Sequence, residues 1–183
     1  MRLDEIAEEY GDEVDVTWRS FLLRPEPEER TIEKFTEYTQ SWKRPGSMES
    51  RITFNSWSGD AAPPSHSIPS ALAGKVASLF GPDAYRSFHH RAMEAYFVEN
   101  RTISEVEVLL DIAEEAGIDR AAFDERWQSG ARLLLNDVID DHNAAVNAGI
   151  SGVPAVVVGE KYLVGGAVEA DDYRQIIAKF RAE

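Results

Sequence analysis

The chain has 183 residues, 43% of them hydrophobic, which suits one compact domain or a domain carrying a large insertion. Its 33 acidic residues against 19 basic ones leave a formal charge of −14, which argues against nucleic-acid binding, because that binding rests on phosphates neutralised by Lys and Arg. No apolar run approaches the roughly 18 residues of a membrane helix, and no leader is recognisable. There is also no cysteine, so these residues form no disulfide and perform no thiol chemistry.

Leu3, Ile6, Ala7 and Tyr10 repeat at helical spacing, and Gly11-Asp12 closes that first helix. Val14, Val16 and Trp18 then alternate with Asp15, Thr17 and Arg19, the pattern of a half-buried edge strand. Arg24-Pro25-Glu26-Pro27 is a stiff loop. From 28 to 148 only helices and loops are expected. Ile32, Phe35, Thr39 and Trp42 share one face, stopped by Pro45-Gly46. Arg51 to Ser65 reads as a loop anchored by Phe54 and Trp57. Ile68, Leu72, Val76 and Leu79 form the next face, with Pro69 in the first turn. Gly81-Pro82 breaks it, and Asp83 starts a helix carrying Tyr85, Phe88, Ala92, Tyr96 and Phe97. Ser104 to Glu107 matches a capping box ahead of Leu109, Leu110 and Ala113, and Gly117 ends that helix. Asp119 caps a short helix with Phe123 and Trp127, and a longer one runs through Leu134, Val138, His142 and Ala145 to Gly149. Asn100-Arg101-Thr102 matches a glycosylation sequon and is read as chance.

The stretch from Gly149 to Gly166 reads as strand, turn, strand. Pro154 opens a β-branched run, Val156 to Val158, at a strand position where a missing amide proton is tolerated. Gly159-Glu160-Lys161 turns the chain, Tyr162 to Val164 returns, and Gly165-Gly166 ends the pair. The Val153–Pro154 bond is a candidate cis peptide. A final helix carries Tyr173, Ile176, Ile177 and Phe180 on one face, with Asp171 and Asp172 early and Lys179 and Arg181 late, as the helix dipole prefers.

Gly-Val-Pro-Ala-Val-Val-Val-Gly, a short strand, Gly-Gly and a closing helix resemble the second half of a thioredoxin-type domain. More narrowly, the chain resembles the DsbA family in its FrnE-like and 2-hydroxychromene-2-carboxylate isomerase-like branch. Trp18-Arg19-Ser20-Phe21-Leu22-Leu23-Arg24-Pro25 and Ala95-Tyr96-Phe97-Val98-Glu99-Asn100 carry the same likeness. The resemblance implies an α/β fold, a thioredoxin-like domain at 1–27 and 149–183 that lacks its first strand, interrupted by a helical insertion at 28–148. It also implies a cis proline at Pro154 and a substrate-binding backbone at Val153. The branch often carries histidine where His66 stands, so His66 is a third candidate ligand contact; its bland reading is a capping or solvated loop residue.

Family members begin with a strand and then Cys-x-x-Cys at a helix start, where the dipole lowers the thiol pKa. Here Met1-Arg2-Leu3 already lies beyond that point. Without a central strand, unpaired backbone groups would cost about 1–3 kcal/mol each, against a total stability of about 5–15 kcal/mol. The expected account is a start codon placed too late; the other is that the two remaining strands close up.

The expected function is a DsbA/FrnE-like thiol–disulfide oxidoreductase family member that is redox-inactive as written. Its partners would be protein or small-molecule thiols and disulfides, glutathione among them, in the cytoplasm and with no cofactor. The alternatives are a kappa-type glutathione transferase or isomerase, and a non-catalytic binding protein that dimerises over its open sheet edges. Other candidates are weaker. His89, His90 and Glu94 lack a convergent third metal ligand, Asp137, Asp140, Asp141 and His142 read as a solvated helix face, and Ser151 lacks a nucleophile elbow.

Overall fold

A computed structural model describes residues 2–48 and 52–183, so Arg51 of the expected loop lies outside the described residues. The chain divides into two compact units: the residues up to Phe21 together with Asp141–Glu183, and Leu22–Asp140.

The first unit holds α1 (Arg2–Tyr10), the last turns of α7 (Arg120–Asn147), β1 (Ala155–Val158), β2 (Tyr162–Gly165) and α8 (Ala170–Arg181). β1 and β2 are antiparallel, with Val156 opposite Val164 and Val157 opposite Leu163. Period-two alternation sends Val156, Val158 and Val164 to one face, where they pack with Ile6, Tyr173 and Ile177 of α1 and α8. Glu169 and Asp172 form a reciprocal capping box at the start of α8. Charge binds the two helices as well: Arg174 of α8 reaches Glu5 at 2.8 Å and Glu9 at 2.7 Å on α1.

Residues 14–20 correct the sequence expectation. They are extended, and Val14 and Val16 are more buried than Asp15 and Thr17, but they form no strand. Among the described residues β1 and β2 pair only with each other, so this segment has the pleat without a ladder. Trp18, expected on the buried face, is 39% exposed. The end of the segment is held by side chains instead. Arg19 Nη1 donates to Asp141 Oδ1 at 2.9 Å, the Ser20 amide donates to Asp141 Oδ2 at 3.0 Å, and Phe21 packs edge-on against His142.

The second unit contains α2 (Ile32–Thr39), α3 (Lys43–Met48), α4 (Ile68–Ser78), α5 (Pro82–Phe97), α6 (Val106–Glu115) and the first part of α7. One core gathers Val76, Phe88, Leu109, Ile112 and Phe123; a second gathers the rings of Phe35, Trp42 and Trp57 with Phe54, Tyr96 and Phe97 around them. Thr39, fully buried, accepts the Trp57 amide at 2.8 Å and so fixes the loop anchor. Burial pushes the Tyr96 phenol up to about 12.

Four local expectations need correction here. Pro45-Gly46 does not stop a helix; it lies in the first turn of α3, where a missing amide proton costs nothing, after a 3-10 turn at Gln40–Trp42. Leu79 is 51% exposed, and Ala73 and Ala77 take the buried positions on α4. The capping box at Ser104 does not form, because Ser104 Oγ accepts the Ser65 amide at 3.1 Å and Glu105 becomes the N-cap. The short and long helices after Asp119 are one helix, α7, running through Ser129-Gly130 without a break. Gly117 does end α6 as expected: at φ +86 it lets the Ile118 amide reach back to Ala113 and its own amide to Glu114, a Schellman closure.

Candidate functional site

α7 ends in a second Schellman closure. Gly149 has φ +81, the Ile150 amide donates to Ala145 and the Gly149 amide to Val146. The chain then rises through Ser151-Gly152 to Val153, which is 52% exposed, and Pro154. The Val153–Pro154 peptide bond is cis. Pro154 has no amide proton to give a ladder, but its carbonyl accepts the Gly166 amide at 2.9 Å, so the proline is pinned to the end of β2.

Beyond Pro154 the hairpin has two unlike faces. Val156, Val158 and Val164 face the α1 and α8 side, whereas Val157 and Leu163, opposite each other, are 46% and 49% exposed. The turn depends on Gly159. Its φ is +58, and an added Cβ would overlap the Phe180 ring of α8. Val153 and Pro154 thus stand, accessible, at the mouth of a hairpin whose other face and turn are locked to α8.

His66 lies in the second unit and is half-buried. Its Nδ1 is 2.9 Å from Ser65 Oγ. The serines on either side of it tie down the stiff loop: Ser65 O accepts the Glu28 amide at 3.2 Å, Ser67 Oγ accepts the Arg24 amide at 3.1 Å, and the Ser67 amide donates to Arg24 O at 2.8 Å. The same loop holds Arg30 nearby, whose guanidinium lies 4.2 Å over the Phe35 ring and donates to the Pro64 carbonyl. Burial and the neighbouring Arg24 charge lower the Arg30 pKa below the usual arginine value.

The remaining candidates do not assemble. Among the described residues no three His, Asp or Glu side chains are placed to hold a metal, and His89 stacks on Tyr85 instead. Asp137 and Asp140 are exposed as expected, but Asp141 is not: it is 5% exposed and anchors Arg19 and Ser20. Sequence reasoning missed it because its partners lie more than 120 positions away, which no local pattern reports.

Comparison with known proteins places this geometry. The DSBA-like thioredoxin domain family matches residues 1–178. The ClpXP adapter protein SpxH of Bacillus subtilis (strain 168) is 30% identical over 127 residues, 67% of this chain, and the match spans 42% of that protein's length. Among solved structures, a candidate protein disulfide isomerase from Nitrosomonas europaea superposes with a TM-score of 0.77 at 18% identity, over 99% of this chain and 88% of that one. The cytosolic disulfide reductase DsbM of Pseudomonas aeruginosa superposes with a TM-score of 0.72 at 20% identity, over 100% of this chain and 91% of that one. At such identities these likenesses establish the fold, thioredoxin-like with helices inserted. Because that family match spans nearly the whole chain, the chain belongs to the DSBA-like thioredoxin domain family, although none of its 183 residues is a cysteine.

Proposed function

We propose that these 183 residues are a DsbA/FrnE-like member of the thiol–disulfide oxidoreductase family that binds thiol- or disulfide-bearing molecules and is itself redox-inactive. The observation that carries this reading is an accessible Val153-Pro154 entry to β1 in a chain that has no thiol of its own. Val153 presents its backbone to the ligand, and Pro154 fixes the entry. The ligands are protein or small-molecule thiols and disulfides, with glutathione included; in support, the DsbM neighbour has also been solved with GSH. A cytoplasmic location belongs to the same reading, supported by that neighbour's description as cytosolic. No helix among the described residues is long and apolar enough to cross a membrane.

Insulin reduction by dithiothreitol tests the redox half. The purified chain should add nothing to the rate of dithiothreitol alone, and turnover above it would overturn the reading. Amide NMR titration with glutathione disulfide tests the binding half. Val153 should shift saturably, and Val153→Asp should weaken binding about tenfold; shifts elsewhere only, or none, would remove Val153 from the site.

A second reading, a non-catalytic protein-binding module, is favoured by the likeness to an adapter protein. It predicts that a thiol-free peptide binds as well as its disulfide counterpart, and it allows a second copy to cover the open edge of β1.

A further inference from the structure

β1 lies at an edge but has the sequence of an interior strand. Ala155 to Val158 is an unbroken apolar run, the pattern of a strand with neighbours on both sides and both faces covered. Among the described residues its only strand neighbour is β2. The Gly166 amide on the Pro154 carbonyl sets the phase of that ladder. In the register that follows, Val156 and Val158 turn their backbone groups to β2, and Ala155 and Val157 turn theirs away from it. On that outer side neither Ala155 nor Val157 has a backbone hydrogen bond among the described residues. Soluble proteins usually blunt such an edge with a charged side chain or a bulge. β1 carries neither.

The core is also unfinished along this edge. Val156 and Val164 face each other across the ladder and enter the same core, yet Val164 is 8% exposed while Val156 is only half-buried. Val158 is half-buried as well, and on the opposite face Val157 is exposed. A strand laid along β1 would cover Val156 and Val158 with one set of side chains and Val157 with the other, so it needs apolar residues on both faces. The surroundings set its charge. Arg2, Arg19, Arg174 and Arg181 of this unit each hold a carboxylate, as does Lys161, and Lys179 lies over the Tyr162 ring. Three exposed carboxylates hold no cation among the described ion pairs: Glu160 in the turn that leaves β1, and Asp12 and Asp15, which flank Val14 of the same core. They favour a basic partner, and the charge of −14 sets a second copy of this chain against itself.

We infer that the free edge of β1 accepts an extended segment of another protein, apolar through its middle and basic at its ends, as an added strand hydrogen-bonded to Ala155 and Val157. This rests on the protein-binding reading above and needs no sulfur in the partner. The probe is a cysteine-free peptide with a Val-Ile-Val-Ile-Val middle and lysine ends, fluorescently labelled and titrated with the full chain by anisotropy. At saturation the Ala155 and Val157 amides should exchange at least about tenfold more slowly, whereas those of Val156 and Val158, already bonded to β2, should change little. The same peptide N-methylated at alternate residues loses the edge hydrogen bonds and should bind at least about tenfold more weakly. Glutamate ends should weaken it several-fold at low salt. Val157→Pro removes an outward amide and spares the bonds to β2, and should weaken the lysine-ended peptide about tenfold. Val157→Lys keeps the amide but blunts the edge and should weaken it too; circular dichroism confirms that each variant is folded. Equal binding of the N-methylated peptide, or binding without slowed exchange at Ala155 and Val157, would overturn the inference and leave the protein-binding reading standing. Protection of these two amides by self-association of the chain alone would also overturn it, and no binding of any peptide would remove both.

Discussion

Residues 14–20 and the β1–β2 hairpin belong to the same unit and both read as strand in the sequence, yet only the hairpin is sheet. Val14 and Val16 alternate with Asp15 and Thr17, whereas β1 is an unbroken apolar run from Ala155 to Val158. The difference is the partner. Every residue of β1 has one across the turn at Gly159-Glu160-Lys161, whereas the 14–20 segment is secured at its far end by a carboxylate. Alternation reports which face is buried; a strand is a property of two segments at once.

The sharpest way to break the comparison is to remove the carboxylate. Asp141→Ala strips a buried acceptor from both Arg19 and the Ser20 amide, and should cost about 3 kcal/mol in urea unfolding. Asp140→Ala, one position earlier and exposed, should cost less than about 0.5 kcal/mol. Equal effects would mean that the segment does not depend on this anchor. On the hairpin side, Gly159→Ala combines a left-handed backbone with a clash on Phe180 and should cost about 2 kcal/mol. Adding Phe180→Ala should recover the steric share and leave the backbone share.

Hydrogen exchange gives a gentler comparison. Amides of the β1–β2 ladder should exchange at least about tenfold more slowly than those of residues 15–17; similar rates would show that the ladder adds no protection. The smallest effect is alkaline. Burial raises the Tyr173 pKa above the usual tyrosine value, so the folded state favours its neutral form. Its contribution is complete below the unfolded pKa of about 10 and is lost as pH rises through the higher folded value. Stability of the wild-type chain should therefore fall more steeply above about pH 10 than that of Tyr173→Phe. Identical slopes would mean that Tyr173 ionises as freely folded as unfolded.

The parts legible in the sequence were those whose cause is local. α1, the hairpin and α8 followed from apolar spacing, a turn and charges placed to suit the helix dipole, and Gly117 announced its own closure. Ser104 was misread because its hydroxyl was recruited by Ser65, 39 positions earlier, and the capping motif lost to that tertiary bond. The same holds for the sites. Val153-Pro154 could be singled out because proline, glycine and a β-branched run sit side by side. The Asp141 anchor could not, since its partners Arg19 and Ser20 lie more than 120 positions away.

Asn100 has a consequence for how the protein is made. Its side chain is 6% exposed, its Oδ1 accepts the Ser58 amide and its Nδ2 donates to Asn55 O, all with the backbone in the left-handed region. In the folded protein this sequon is closed to glycan transfer. During passage through a glycosylating compartment, however, the nascent chain would offer Asn100-Arg101-Thr102 before the loop from Asn55 to Ser58 could shelter it. A glycan added then would occupy the volume that loop needs. Production in a secretory host should thus yield a glycosylated, misfolded fraction that Asn100→Gln would not rescue, because the same substitution removes the bonds that seat the loop.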